Sequence, residues 1–221
     1  MSKISLEPNA SGAGTFTLAA PNSNTNRTLT LPDESGTIFS DGTGVPGSAV
    51  TGQLASSNMP AGSVIQVVTK TINTLLVLSD TTYADIPGFD ITMTLNDANN
   101  KVLLFTHFGM LVGGEDANNN STQLRYTRNG SAFSVGVSSG IRVQGSSVVS
   151  GHRAHINNAH GFQHDLNVVD DNPGSTNVTY KVQHRNEQGN LYLNRTQRFD
   201  DDDRPHFGTF SSTMIAMEIV T

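Results

Sequence analysis

The stretch Lys101-Val-Leu-Leu-Phe-Thr-His-Phe-Gly-Met-Leu-Val112 is apolar at both odd and even positions. Successive side chains of a strand point to opposite faces, so this run predicts a central strand covered on both faces. Before it comes the turn Asn96-Asp-Ala-Asn-Asn100, and before that Phe89-Asp-Ile-Thr-Met-Thr-Leu95, which alternates strictly. Working outward, further strands are predicted at 63–69, 75–78, 83–86, 123–128, 133–137, 141–143, 177–184, 191–195 and 213–220. Asn129-Gly130 adds a strong hairpin signal. No long window carries helical 3, 4, 7 spacing with caps. Strands at roughly 8–12-residue spacing, with turn signals between them, predict an all-β sandwich or jelly roll.

Composition agrees. Of 221 residues, 22 are Ser, 24 Thr, 21 Asn and 21 Gly, while only 14% are charged. Such a chain favours strands, turns and a surface of hydroxyls and amides. The net charge of -6 lacks the basic footprint of a nucleic-acid binder. With no cysteine, the chain has no disulfide, thiolate metal site or thiol nucleophile. Met1-Ser-Lys-Ile-Ser-Leu-Glu-Pro-Asn9 has no apolar core of a secretory signal, and the longest apolar runs fall far short of a membrane span. We therefore expect neither nucleic-acid binding nor membrane insertion.

Residues 1–60 differ from residues 61–221. They hold six charged residues and two aromatics, Phe16 and Phe39, between clusters of Asn, Ser, Gly and Pro. Two segments alternate apolar residues with Thr, Thr15-Phe-Thr-Leu-Ala19 and Arg27-Thr-Leu-Thr-Leu31. A two-stranded unit this poor in apolar residues does not fold alone. Its clean alternation points to ordering by partner chains. The expected organisation is an extended N-terminal arm over 1–60 and a β-sandwich head over 61–221.

Several of these pieces carry a resemblance. Gly14-Thr-Phe-Thr-Leu-Ala-Ala-Pro-Asn22 and Arg27-Thr-Leu-Thr-Leu-Pro-Asp-Glu-Ser-Gly-Thr37 resemble shaft and attachment segments of tailed-bacteriophage fibre proteins. Met59-Pro-Ala-Gly-Ser-Val-Ile-Gln66 is similar to the junction where such a fibre enters its head. Thr82-Tyr-Ala-Asp-Ile-Pro-Gly88, Val178-Thr-Tyr-Lys-Val-Gln183 and Ser212-Thr-Met-Ile-Ala-Met-Glu-Ile-Val220 resemble a head of fibre-like virion proteins from marine and cyanobacterial phages, as do Asn99-Asn-Lys-Val-Leu-Leu104 and Tyr192-Leu-Asn-Arg195. The resemblance implies a homotrimeric, jelly-roll-like head similar to the tumour-necrosis-factor and complement-head folds. It implies a non-enzymatic tail fibre or head fibre on the virion exterior, mounted on other virion proteins by its arm and contacting a host surface glycan or protein with its head. A capsid decoration protein shares the arm-plus-head design. A glycan-degrading tailspike is the enzymatic alternative. A trimerising jelly roll would bury an apolar face near its axis.

The candidate site residues follow from side-chain chemistry. Asn118, Asn119, Asn120, His152, Arg153, His155, Asp201, Asp202 and Asp203 fall in the irregular segments 113–120, 145–165 and 200–206. Their amides, imidazoles, guanidinium and carboxylates suit hydrogen bonding to a receptor's sugar hydroxyls, and loops at one end of a sandwich are where such contacts arise. His152, His155, His160 and His164 cluster within thirteen residues, but spacings of 3, 5 and 4 fit no standard zinc pattern. No metal or other cofactor is therefore expected. Gly136-Val-Ser-Ser-Gly140 matches a hydrolase nucleophile expression without the helix that must follow it. Glu115 with Asp116, and Asp170 with Asp171, are carboxylate pairs too close in sequence to straddle a glycosidic bond.

Overall fold

Period-two alternation runs through the structure, a computed structural model of the chain. It describes residues 11–15, 17, 19, 22–26, 28, 55, 58–113, 121–150, 161–196, 203 and 208–221. The chain divides into two units, Met1–Gly52 and Gln53–Thr221. In the first, the described residues are exposed and lie outside any strand, Thr15, Thr17, Ala19 and Thr28 among them.

The second unit is all-β, and its described residues contain no α-helix. Its strands are β1 (Val64–Ile72), β2 (Leu76–Leu78), β3 (Ala84–Thr94), β4 (Lys101–Gly113), β5 (Ser121–Arg128), β6 (Ser131–Phe133), β7 (Ser147–Ser150), β8 (Phe162–Asp170), β9 (Asn177–Asn186), β10 (Leu191–Leu193) and β11 (Ser212–Ile219). One sheet runs β1-β11-β4-β10-β2, with β8 on the other edge of β4. The other runs β3-β9-β5-β6, with β7 also on β5. Every pairing is antiparallel.

β4 is the centre of its sheet, as its apolar run predicts. Along one edge Thr213–Ile219 pairs with residues 101–107, and β10 takes over at residues 111–113. Gly109 sits between the two partners, where any Cβ would overlap the Ser211 carbonyl oxygen. β3 is kinked between Asp85 and Asp90, where Pro87 and Gly88 (φ 78°) break the register. An edge strand tolerates both residues, because neither must complete a second ladder.

The core forms between the two sheets. Phe89 of β3 meets Phe108 of β4 at 5.3 Å between ring centroids. Leu104, Leu111, Leu124, Tyr180, Val182, Leu191 and Met214 fill the layer around them, all fully buried. Polar groups that enter this layer find partners. The Tyr126 hydroxyl donates to Leu166 O at 2.8 Å and accepts from Thr106 Oγ1 at 2.5 Å. Asp170, 4% exposed, accepts from Arg128 at 2.7 and 2.9 Å and from the Tyr180 hydroxyl at 2.9 Å. Glu218 is buried and accepts from Asn96 N and Asn100 Nδ2, each at 2.7 Å, which fixes the turn between β3 and β4.

Three expectations need correction. Residues 145–165 are not one irregular segment: β7 covers 147–150 and β8 begins at 162. Of the strand predicted at 133–137 only Phe133 lies in a strand, the end of β6; residues 134–137 and the strand predicted at 141–143 are instead loop, held by Gly136 N to Gly145 O at 3.1 Å. The strand predicted at 191–195 stops at Leu193.

Candidate interaction surfaces

Alternation assigns one set of side chains to the core and leaves the other set on the outside of each sheet. On the β1-β11-β4-β8 side, directly opposed residues build rows across four strands. Val67, Met217, Leu103 and Val169 form one row, apolar from end to end. Thr69, Ile215, Phe105 and Asn167 form the next. The third row is Thr71, Thr213, His107 and Asp165, which is polar. There Thr71 and Thr213 hydroxyls meet at 3.2 Å, and His107 Nδ1 lies 2.7 Å from Asp165 Oδ1. Val67 is 53% exposed, Val64 48% and Val169 43%, while Leu103, Phe105, Ile215, Met217 and Ile219 are half-buried. Lys101, paired with Asp171 at 2.8 Å, closes the opposite border. An apolar centre between polar borders has the anatomy of a protein interface.

The outer face of the other sheet is the reverse. Its rows read Asp85, Gln183, Arg125; then Arg185, Gln123, Val148; then Asp90, Lys181, Thr127; then Thr92, Thr179. Lys181 Nζ and Gln183 Nε2 both donate to Asp85, at 2.7 and 2.8 Å, and hold its carboxyl below its ordinary range. The Thr92 and Thr179 hydroxyls meet at 2.9 Å. This face is solvated and cross-linked by hydrogen bonds.

Of the candidate residues named from sequence, Asn118, Asn119, Asn120, His152, Arg153, His155, His160, Asp201 and Asp202 lie outside the described residues, as do Glu115 and Asp116. Asp203 is described and exposed. His164 belongs to β8 rather than to a loop, and its Nε2 lies 2.9 Å from Ser147 Oγ, which ties β8 to β7. Burial lowers the pKa of this imidazole against the opposing pull of Asp165. Among the described residues, no three His, Cys, Asp or Glu side chains gather as a metal site. Asp170 and Asp171 point to opposite tasks, the first into the Arg128–Tyr180 network and the second to surface Lys101. Gly136 to Gly140 lies on the exposed loop after β6.

The segregation of the two outer faces was not drawn from sequence, although a signal for it exists. Thr213-Met-Ile-Ala-Met-Glu-Ile219 is apolar at both parities, as is the β4 run, whereas Thr179-Tyr-Lys-Val-Gln-His-Arg185 keeps charge and amide on one parity.

No family model matches the chain, and no curated protein matches it. Among solved structures, a chain from Bacillus endospore appendages, described as disulfide-linked pili, is similar at 7% identity, covering 77% of this chain and 100% of its own, with a TM-score of 0.26. Dimeric latent PorU from Porphyromonas gingivalis is similar at 8% identity, covering 76% of this chain and 14% of its own, with a TM-score of 0.29.

Proposed function

We propose that this chain is a non-catalytic virion protein of a tailed phage, a homotrimeric fibre whose head contacts the host surface and whose arm attaches to the particle. The observation that carries the reading is the apolar row Val67, Met217, Leu103 and Val169 on the outside of a sheet whose inner face already fills the core. A second and third copy of the chain cover it. The opposite face is too polar to serve, so the trimer packs β1-β11-β4-β8 toward its axis and turns the other sheet outward. What supports a jelly roll is the strand order. The sheet β1-β11-β4-β8 packs on β3-β9-β5-β7, so the chain crosses between the two layers at every step among these eight strands except β5 to β7, in the manner of two Greek keys. The arm fits the same reading, since its alternating segments are too poor in apolar residues to fold alone and call for strand partners. What supports a non-catalytic role is that the buried carboxylates Asp170 and Glu218 are both taken up by structural hydrogen bonds.

Sedimentation velocity at micromolar concentration tests the assembly. The expected species is three copies of the 23.5 kDa chain. Met217→Glu, at a half-buried surface position, should yield a folded monomer; a parent chain that sediments as a monomer overturns the reading. An antibody to the head, seen by negative stain on phage particles, places the protein on tail or capsid. Labelling of the capsid shell alone favours decoration.

A further inference from the structure

On the outer face of the β3-β9-β5 sheet, pairing sets Arg125 opposite Gln183 and Gln123 opposite Arg185. The two arginines are therefore diagonal cross-strand neighbours on one face, within reach of a shared ligand. Each guanidinium is braced from behind. Arg125 Nε donates to Gln183 Oε1 at 2.9 Å, and Gln183 is itself held by Asp85. Arg185 Nε donates to Thr81 O at 3.0 Å, and its Nη1 to Gln123 Oε1 at 3.3 Å. Tyr83 joins them: the Arg125 guanidinium lies 3.7 Å over its ring centroid, and its hydroxyl donates to Gln144 O at 2.8 Å. Burial pushes the Tyr83 phenol up while both arginines pull it down, so both cations lie within electrostatic reach of one hydroxyl.

This bracing leaves particular atoms unused. Among the described residues, neither Nη of Arg125 and not Nη2 of Arg185 has a hydrogen-bond or ion-pair partner. Guanidinium groups fixed through Nε offer their remaining N–H groups to the oxygens of a carboxylate or of a tetrahedral oxyanion, with little side-chain entropy left to lose. Gln123 and Gln183 bring side-chain amides beside them, and Thr92 and Thr179 extend the face with hydroxyls. The chain's net charge is -6, which repels a long polyanion as a whole. Single acidic groups spaced along a neutral, hydroxyl-rich polymer meet no such barrier.

We propose that Tyr83, Arg125 and Arg185 form a binding site for the carboxylate or sulfate monoester of an acidic saccharide. The site lies within one chain and on the face turned away from the apolar sheet. It names the receptor class for the host-contacting role and rests on that reading for its biology, while its chemistry is independent of assembly.

Calorimetry on the full chain tests it, with uronate, sialate and sulfate-monoester oligosaccharides, each paired with its neutral counterpart. At least one acidic oligosaccharide should bind at least tenfold more tightly than its counterpart. Arg125→Gln with Arg185→Gln should weaken that binding at least tenfold, with circular dichroism and sedimentation unchanged. Should that pair misfold, Arg125→Lys with Arg185→Lys keeps the charge, loses the fork, and should still weaken binding severalfold. Acidic and neutral sugars binding alike, no binding across the panel, or a folded variant that binds like the parent overturns the site. Sodium sulfate alone binding as tightly as the best saccharide means an adventitious ion only, which also overturns it. Acid-selective binding by a chain that sediments as a monomer keeps the site and sinks the trimer instead.

Discussion

Asn194 adopts a left-handed conformation (φ 62°) where β10 ends and the chain turns toward β11. Its Nδ2 donates to Ile72 O at 2.9 Å and Thr74 O at 3.1 Å, and its Oδ1 accepts from Ser212 Oγ at 2.6 Å. One buried amide thus closes the ends of β1, β10 and β11, and Asn is among the few side chains that tolerate this backbone. His184 is the contrasting case. It is fully buried in β9, its Nε2 is 3.2 Å from Asp80 Oδ2 but off the line of a hydrogen bond, and neither ring nitrogen has a hydrogen-bond partner. Burial lowers its pKa despite Asp80. The unfolded chain therefore binds a proton, below a pH of about 6.5, that the folded core resists. Stability should fall as the pH drops through that value, and thermal melts from pH 8 to pH 5 at constant ionic strength would show it. His164, lowered by burial too, acts in the same direction. His184→Gln should flatten the slope, and a slope equal to the parent's would dismiss this role. Lys181 and Gln183 lower the pKa of Asp85, so its contribution is also lost as the pH falls, but in a more acid window, from the ordinary carboxylate range down through the lowered value.

At the scale of elements, β3 and β9 were legible because apolar residues alternate along them, and β4 and β11 because apolar residues occupy both parities. β8 was not. Its inward positions are His164, Leu166, Val168 and Asp170, so two of the four are polar. They can face inward only because Ser147 meets the imidazole, and Arg128 with Tyr180 meets the carboxylate. Those partners come from other strands, and no local pattern announces them. The loop at 134–146 misled in the other direction. Val135, Val137, Ile141 and Val143 imitate strand alternation, yet Val137 is 90% and Ile141 102% exposed. The loop keeps its shape by hydrogen bonds instead, from Gln144 Nε2 to Gly136 O, from Ser146 Oγ to Ser134 O and from Arg142 N to Ser139 O. Val137→Ser with Ile141→Ser should then change stability by no more than about 0.5 kcal/mol. Phe108→Ala, in the core against Phe89, should cost about 3–5 kcal/mol. Denaturant melts of both variants check the contrast. A large loss in the loop variant would mean that the loop packs on something.

At the scale of the molecule, the prediction of cover on both faces of β4 is half met by one chain. Val102, Leu104, Thr106, Phe108 and, past the register shift, Leu111 enter the core, while Leu103 and Phe105 look out through an apolar face. The recognition groups read from sequence, Asp203 apart, lie outside the described residues, whereas the braced arginines stand on strands. Cross-strand neighbours become visible only when the register of β5 against β9 is known. If the apolar face is covered by further copies, folding and assembly are coupled, and mass action enters the stability. The melting temperature of the parent chain should then rise with protein concentration over a hundredfold range, because dilution favours the dissociated, less stable chain. Met217→Glu places a carboxylate in the middle of the apolar row, where closing the interface would strip it of water without a partner. That variant should melt at one temperature at every concentration, below the parent and with the same unfolding cooperativity, since Met214, Ala216 and the rest of the inner face are untouched. Differential scanning calorimetry of the two proteins decides it. A parent whose melting temperature ignores concentration while it sediments as a monomer would leave the face bare and return the protein to a single-chain role.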